Sequence, residues 1–255
     1  MDLQLTGRSV VVTGGSRGLG RAIAGAFAGE DARLTLCARG EGELESTAAI
    51  IRTAFPGVEV RTVVADVTSA GDAERIIQAA IDAYGRLDVL VNNAGATVRD
   101  GSIEEAWRAS FELNVIAPLR LMELAKPHLL DSGQGAVINV SSIFGREAGG
   151  SPQYNASKAA QIAMSKAYAL DWAREGIRVN NFAPGSIQFE GGSWDRRVKE
   201  DPEGMARFID QNIPGGRFGT PEELAHAVAF LASPRSSWIM GATLNVDGGQ
   251  SRSNI

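Results

Sequence analysis

The feature of this sequence that most limits its fold is the regular alternation of short apolar runs with longer segments of helical periodicity. The runs are rich in β-branched residues and mostly apolar, as expected of strands buried on both faces of a sheet. They lie at 9–13, 33–38, 58–65, 87–91, 137–140, 177–182 and 242–246. Strands that alternate with helices predict a parallel sheet with helices on both faces. We therefore predict a single doubly wound α/β domain of about seven strands over residues 1–255.

Helical segments are predicted between the strands, and one of them carries a distortion. Apolar residues recur at helical spacing in a segment that begins near Leu19 and at 43–55, 70–84, 103–130, 154–174 and 221–232. Within 103–130, Pro118 lacks an N–H group and clashes with the carbonyl group of Asn114. We therefore expect the long helix to be kinked at Asn114.

The segment at 186–219 breaks the alternation, because it is too long for an ordinary α/β connection. It contains glycine and proline pairs with aromatic residues between them. Segments of this kind at strand carboxyl ends often close over a binding site, which predicts a substrate lid. A surface insertion packed by its own aromatic residues is the alternative.

Composition excludes several classes of function. The net charge of −5 argues against nucleic acid or an anionic membrane as the main partner. The single cysteine, Cys37, excludes an internal disulfide framework and suits a reducing compartment. No secretory signal and no apolar run near the ~20 residues of a membrane span is visible, so a cytoplasmic protein is expected. His128 and His226 have no neighbours at ligand spacing, so no metal site is predicted.

A glycine-rich loop joins the first predicted strand to the first predicted helix and includes Gly14, Gly18 and Gly20. Glycines let the backbone approach a pyrophosphate, and the following helix N-terminus faces the negative charge. The spacing is Gly-x-x-x-Gly-x-Gly rather than the common Gly-x-Gly-x-x-Gly, and a glycine turn that binds nothing is the alternative. The flanking strand and helix favour a dinucleotide site.

The residues after the second strand indicate which dinucleotide is preferred. An acidic residue there usually binds the ribose of NAD, whereas an arginine accommodates the extra phosphate of NADP. This chain has Arg39 at that point and no acid before Glu41. Arg17, inside the glycine loop, is a second cation for the same phosphate. We therefore predict NADP(H) as the cofactor, with NAD(H) as the alternative.

Tyr154 and Lys158 are four residues apart on a predicted helix, where side chains on one face meet. A nearby cation favours the tyrosinate and lowers the tyrosine pKa from about 10. Such a tyrosine can exchange a proton with a carbonyl or alcohol oxygen near neutral pH. Taken alone, the pattern also fits an ordinary surface pair. Other polar and glycine-rich positions at predicted strand carboxyl ends strengthen the functional interpretation, because ligands of such sheets bind along that edge.

With these residues assembled, the chain resembles the short-chain dehydrogenase/reductase family over essentially its whole length. The likeness rests on Thr13–Gly20, Asp66-Val67, Asn92–Gly95, Asn114, Ser142, Tyr154-x-x-x-Lys158 and Pro184-Gly185. The resemblance implies a Rossmann fold and an oxidoreductase that transfers a hydride between nicotinamide and a carbonyl or secondary alcohol. Two C-terminal segments, 217–223 and 241–249, look most like 3-oxoacyl-(acyl carrier protein) reductase-type members, which are commonly homotetramers.

The resemblance also implies residue roles. Tyr154 would be the general acid or base, and Lys158 would lower its pKa and bind the nicotinamide ribose. Ser142 would donate to the developing oxyanion, and it is preferred over Ser141 because it directly precedes the family's apolar-x-Gly turn. Asn114 would hold a water that relays protons to Lys158. Together with Tyr154 and Lys158, the implied cofactor residues are Gly14, Ser16, Arg17, Gly18, Leu19, Gly20, Arg39, Asp66, Val67, Asn93, Ala94, Gly95, Pro184, Gly185 and Ile187.

The substrate is a small-molecule ketone or alcohol in this interpretation, and its identity is left open. We expect the pocket wall to be formed by Phe144, Glu147, Gln153, Phe189 and Trp194. An NAD-linked sugar or steroid dehydrogenase is one alternative function. A regulator that senses NADP on the same fold without chemistry is another, since fold alone does not prove function.

Overall fold

The protein is described by a computed structural model that covers residues 1–254. Within that range one sheet contains seven parallel strands in the order β3-β2-β1-β4-β5-β6-β7. Their bounds are β1 Ser9–Thr13, β2 Arg33–Ala38, β3 Val60–Val64, β4 Val89–Asn92, β5 Ala136–Val140, β6 Arg178–Pro184 and β7 Thr243–Val246. The predicted parallel α/β Rossmann fold is thereby confirmed. The strand order reverses between β1 and β4, which places a crevice at their carboxyl ends.

Helices cover both faces of this sheet. Their bounds are α1 Gly18–Ala28, α2 Glu41–Ala54, α3 Ala70–Tyr84, α4 Ile103–Phe111, α5 Ala117–Asp131, α6 Pro152–Trp172, α7 Ser193–Glu200, α8 Pro202–Asn212 and α9 Pro221–Ala232. Helices α3 and α9 begin and end at the residues predicted, and α1 begins within one residue of Leu19. Helix α6 starts two residues before Tyr154, at Pro152, because proline is favoured in the first helical turn.

Two apolar cores lie on opposite faces of the sheet, and consecutive strand residues alternate between them. Val10 and Val12 of β1 pack in one core with Phe27 of α1, whereas Val11 packs in the other core with Trp172 of α6. This alternation follows from the two-residue period of a strand. Both cores are present because the central strands β1, β4 and β5 are buried on both faces.

The long helix predicted at 103–130 is interrupted at Asn114. A π-helical turn, Glu112–Ile116, separates α4 from α5 and contains the fully buried Asn114. Such turns insert one extra residue into the hydrogen-bond ladder and are frequent at functional sites. The departure from α geometry falls where Pro118 removes a donor, as the sequence predicts.

The 186–219 segment is tied together at its base and is partly helical. Ile187 pairs with Gly219, and the N–H group of Gln188 donates to the carbonyl of Gly219. Helices α7 and α8 lie within the segment. The ring of Trp194 stacks on Phe208 at a centroid distance of 4.9 Å and meets Phe218 at 5.0 Å. The segment is therefore packed by its own aromatic residues, and its role as a lid stays a prediction.

Residues 1–254 contain neither a candidate membrane-spanning helix nor a candidate metal-binding cluster. No helix in that range combines the length and the apolar character that crossing a membrane requires. No group of three or more histidine, cysteine, aspartate or glutamate side chains in that range is placed to hold a metal ion.

Candidate active site

Three polar side chains meet at the carboxyl end of β5. Tyr154 and Lys158 project from consecutive turns of α6, and the hydroxyl of Ser142, just beyond β5, is hydrogen-bonded to the side chain of Tyr154. Ser142 also accepts a bond from the N–H group of Phe144 at 3.2 Å. The neighbouring Ser141 donates instead to the carbonyl of Lys158 at 3.1 Å. Of the two serines, Ser142 is therefore the one that bonds to the phenol, and its role as the catalytic serine stays a prediction.

Lys158 is buried and is held by two oxygen acceptors. Its Nζ atom donates to the carbonyl of Val140 at 2.7 Å and to Oε1 of Gln161 at 3.1 Å. Burial lowers the pKa of Lys158 to about 7. An ammonium has three N–H groups, so the third is left for another acceptor.

The pKa of Tyr154 differs from the sequence expectation. Burial raises it above its ordinary value, and the hydrogen bond from Ser142 only partly opposes the rise. The Nζ atom of Lys158 lies 5.8 Å from the ring centroid and is directed at Val140 and Gln161. The expected lowering of the Tyr154 pKa is wrong, because the desolvation of the buried phenol outweighs the opposing hydrogen bond from Ser142.

Asn114 links the helix to the loop after β4. Its Nδ2 atom donates to the carbonyls of Ala96 and Ser110, each at 3.0 Å, and its Oδ1 atom accepts from the N–H group of Ala96. Gly95 lies against this contact, since a Cβ atom there would be 2.9 Å from Oδ1 of Asn114 and 3.2 Å from Nζ of Lys158. A glycine is therefore required where Asn114 and Lys158 approach the chain. The water expected at Asn114 stays a prediction.

The glycine loop is locked to the end of β4. Asn93 donates from Nδ2 to the carbonyl of Thr13 at 2.9 Å, and Thr13 Oγ1 accepts from the N–H group of Asn93 at 2.9 Å. Gly18 has a left-handed φ of +52°. A Cβ atom at Gly20 would lie 2.1 Å from the carbonyl oxygen of Gly14, so only glycine lets α1 pack this closely. The loop residues Gly14 to Gly20, including Ser16, Arg17 and Leu19, thus lie together, and their binding of a dinucleotide stays a prediction.

The other predicted adenosine-side residues follow β2 and β3. Arg39 is exposed directly after β2. The backbone N–H group of Thr68 is the main cause that lowers the pKa of Asp66, and the charge of Arg39 contributes to the same lowering. Val67 is buried beside Asp66. These residues and Arg17 lie outside the lining of the cleft described next.

A cleft of about 1020 Å³ opens at the carboxyl edge of the sheet. It contains the hydroxyl-bearing Ser142 and Tyr154 and the ammonium of Lys158. Further residues predicted from the sequence also line it, namely Leu19, Asn93, Gly95, Phe144, Glu147, Pro184, Gly185, Ile187, Phe189 and Trp194. The cleft therefore joins the glycine-loop side to the Tyr154 side in one space.

Gln153 is the one residue of the predicted substrate wall that does not line this cleft within the described residues. Its Nε2 atom donates to the carbonyl of Val98 at 2.9 Å. Gln153 therefore holds the loop after β4 beside the start of α6.

Comparison with known proteins identifies the family of this chain. The model of the enoyl-(acyl carrier protein) reductase family matches residues 14–251. The 3-oxoacyl-[acyl-carrier-protein] reductase of Thermotoga maritima is 35% identical over 254 residues, which cover 97% of this chain and 99% of that protein. The chain belongs to the short-chain dehydrogenase/reductase family.

Solved structures of other short-chain dehydrogenases/reductases have the same fold. L-sorbose reductase from Gluconobacter frateurii, complexed with NADPH and L-sorbose, has a TM-score of 0.91 and 33% identity, and the match covers 99% of this chain and 100% of that one. A 7α-hydroxysteroid dehydrogenase complexed with NADH and 7-oxo glycochenodeoxycholic acid has a TM-score of 0.89 and 28% identity, covering 99% and 98%. This short-chain dehydrogenase/reductase is thus an oxidoreductase of a family that uses nicotinamide cofactors.

Several residues in or beside the cleft of this short-chain dehydrogenase/reductase were not assigned to the site from the sequence. Gln161, which binds Lys158, could have been found because it lies three residues later on the same helix. Arg99, Gln250 and Arg252 come from loops whose course no periodic pattern indicates. Arg197 belongs to a charged run in α7, and its guanidinium lies over the ring of Trp194 at 4.8 Å.

Proposed function

We propose that the protein is an NADP(H)-dependent oxidoreductase that reduces a small-molecule ketone, or oxidises the corresponding secondary alcohol, with Tyr154 as general acid or base. One observation carries the proposal: the hydroxyls of Ser142 and Tyr154 are hydrogen-bonded in a cleft that also holds the ammonium of Lys158 and reaches the glycine loop. The Tyr154 hydroxyl is thus a proton source in the same cleft that the glycine loop borders, and glycine loops of this kind bind dinucleotides.

The residues of the glycine loop fit a dinucleotide. Helix α1 begins at Gly18 with no side-chain cap on its N-terminus, which leaves backbone N–H groups for an anion. A Cβ atom would lie 2.1 Å from the carbonyl oxygen of Gly14 at Gly20 and 2.9 Å from Oδ1 of Asn114 at Gly95, so the backbone is closely packed on this side of the cleft. When bound, the nicotinamide supplies or accepts the hydride.

The proton is handled by the residues of the chain itself. In reduction, the Tyr154 hydroxyl gives its proton to the carbonyl oxygen as the carbon accepts the hydride, and the Ser142 hydroxyl donates a hydrogen bond to the same oxygen. When the cofactor is bound, the third N–H group of Lys158 would be the one to hold the nicotinamide ribose. Asn114, which holds the loop containing Gly95, keeps Lys158 in place and orders the water through which Tyr154 regains a proton.

NADP(H) is proposed over NAD(H) because of the charges that follow β2. Arg17 and Arg39 are both exposed at the ends of β1 and β2, and the first acid, Glu41, lies inside α2. A guanidinium binds a phosphate through paired N–H groups, whereas a ribose hydroxyl calls for a carboxylate. The two solved relatives described above were complexed with NADPH and with NADH respectively, so the family accommodates either.

The test follows NADPH and NADH oxidation in parallel against a panel of ketones. The panel contains a 3-oxoacyl thioester, a cyclic diketone, a steroid ketone and a keto sugar. Turnover with NADPH, lost in Tyr154→Phe while NADPH binding is retained, is the expected result. Preference for NADH would overturn the cofactor assignment. Tight NADPH binding with no turnover would instead favour a regulator that senses the dinucleotide.

We also propose a homotetramer that pairs the long helices α4–α5 and α6 with their copies. Apolar residues are exposed on these helices, including Ile103 (81% exposed), Ile116 (38%) and Leu170 (70%). Apolar exposure of this kind is common at interfaces between subunits. Sedimentation analysis at micromolar concentration should give the mass of four chains, and a monomer would contradict the proposal.

A further inference from the structure

Three arginines from separate parts of the chain line the cleft. Arg99 follows β4, Arg197 belongs to α7, and Arg252 follows β7. Within residues 1–254 the only acidic residue in the lining is Glu147. The cleft is therefore cationic although the whole chain has a net charge of −5.

The guanidinium groups of these arginines are not engaged by carboxylates. Some other cations are paired, among them Lys199, which binds Asp195 at 2.7 Å, and Arg217, which binds Glu223. No carboxylate within 4.0 Å pairs with Arg99, Arg197 or Arg252 in the described part of the chain. Arg197 is instead oriented by its stacking on Trp194.

Backbone contacts place two of these arginines on the Tyr154 side of the cleft. The carbonyl of Val98, which precedes Arg99, accepts from Gln153, which precedes Tyr154. The N–H group of Arg252 donates to Oε2 of Glu147 at 2.8 Å, within the interval between Ser142 and Tyr154. The backbone at Arg99 and Arg252 is therefore tied to the interval between Ser142 and Tyr154, whereas neither of these two contacts involves the glycine loop.

We infer that Arg99, Arg197 and Arg252 bind a carboxylate of the substrate, so that the preferred substrates are keto acids or hydroxy acids. The inference rests on the proposed function and narrows its substrate class. A guanidinium binds a carboxylate through two parallel N–H···O hydrogen bonds. Three guanidinium groups that line one cleft therefore favour a substrate with an anionic group over a neutral ketone. One carboxylate oxygen of Glu147, the acid in the lining, accepts the backbone N–H group of Arg252.

The experiment compares keto acids with their methyl esters, which keep the carbonyl and remove the charge. The probes are acetoacetate, levulinate and para-acetylbenzoate, each measured beside its ester with saturating NADPH. For the best-fitting pair we expect kcat/KM to be at least about tenfold higher for the acid, and we expect added salt to reduce this preference. Equal or better turnover of all three esters would overturn the inference.

Arginine variants then locate the anion site. Arg99→Gln, Arg197→Gln and Arg252→Gln should each lower kcat/KM for the acid about tenfold and leave the ester unchanged. Arg196→Gln is the matched control, because Arg196 is the exposed neighbour of Arg197 on α7 and does not line the cleft. Equal losses for acid and ester, or a matching loss of NADPH affinity, would overturn the inference.

Calorimetric titration separates this inference from the proposed function. Binding of para-acetylbenzoate but not of its methyl ester, weakened by Arg252→Gln, would support the anion site even if no ketone were reduced. That result without turnover would overturn only the oxidoreductase proposal. Turnover of neutral ketones with no preference for any acid would overturn the anion site and leave the oxidoreductase proposal standing.

Discussion

The ring of Phe189 lies directly against Gly18: a Cβ atom at Gly18 would be 2.6 Å from the Cζ atom of Phe189. Gly18 begins α1 in the glycine loop, whereas Phe189 belongs to the 186–219 segment. The same ring also meets Gly192, where a Cβ atom would be 3.0 Å from Cζ. The segment that was predicted to cover the substrate therefore contacts the loop that was predicted to bind the cofactor.

From this contact, Phe189→Ala should weaken NADPH binding about tenfold and change the KM for a ketone less. The ring shields the uncapped start of α1 from water, and the loss of part of a buried aromatic side chain costs on the order of 1–2 kcal/mol. Equilibrium titration of NADPH measures the effect. Phe208→Ala is the matched control, since it removes a ring that packs on Trp194 in the same segment. An unchanged NADPH affinity with a raised ketone KM would make Phe189 a substrate-wall residue only.

Gln161→Met should lower turnover by shifting the pH dependence rather than by unfolding the protein. The substitution keeps the length of the side chain and removes the oxygen that accepts from Lys158. Because that bond favours the ammonium form, its loss should lower the pKa of Lys158 further. The pH–rate profile should therefore move to lower pH, with an unchanged melting temperature within a few degrees. A uniform loss of rate at all pH values would mean that Gln161 is only structural.

Lys158 should make the stability of the cofactor-free protein depend on pH. The folded pKa of about 7 lies below the unfolded value of 10.5, so between these values the unfolded chain binds more protons. Raising the pH through this range therefore stabilises the wild type relative to Lys158→Met. The difference between their free energies of unfolding should change by on the order of 2 kcal/mol from about pH 7 to about pH 9. Urea denaturation at both pH values measures it, and a constant difference would contradict the burial of the ammonium.

Two glycines of α1 should respond differently to alanine. Gly20→Ala places a Cβ atom 2.1 Å from the carbonyl oxygen of Gly14, so it should destabilise the fold by about 2–3 kcal/mol or abolish dinucleotide binding. Gly25→Ala meets nothing within 4 Å and should be neutral or stabilise by up to about 1 kcal/mol through helix propensity. Thermal melting with and without NADPH compares them. Equal effects at the two positions would mean that the close approach at Gly20 can relax.

Much of the fold follows from local patterns. The apolar runs at Ser9–Thr13 and Arg33–Ala38 coincide with β1 and β2, because a strand buried on both faces needs an uninterrupted apolar run. The proline-started helix α9 likewise begins and ends as predicted, since Thr220 caps it and Pro221 suits its first turn. The ends of strands were predicted less well where pairing with a neighbouring strand sets them. Strand β6 extends past the predicted end at 182 to Pro184, because Pro184 pairs with Val246 of β7.

The sequence by itself determined the parallel α/β sheet, the position of the glycine loop and the helical spacing of Tyr154 and Lys158, since each depends on residues close together in the chain. Only the tertiary structure decided the state of those side chains. The pKa of Tyr154 is raised and Lys158 is turned toward Val140 and Gln161, because burial depends on what surrounds a group in space. For the same reason the arginine-lined cleft, which brings together two loops and helix α7, has no signal in any single stretch of the sequence.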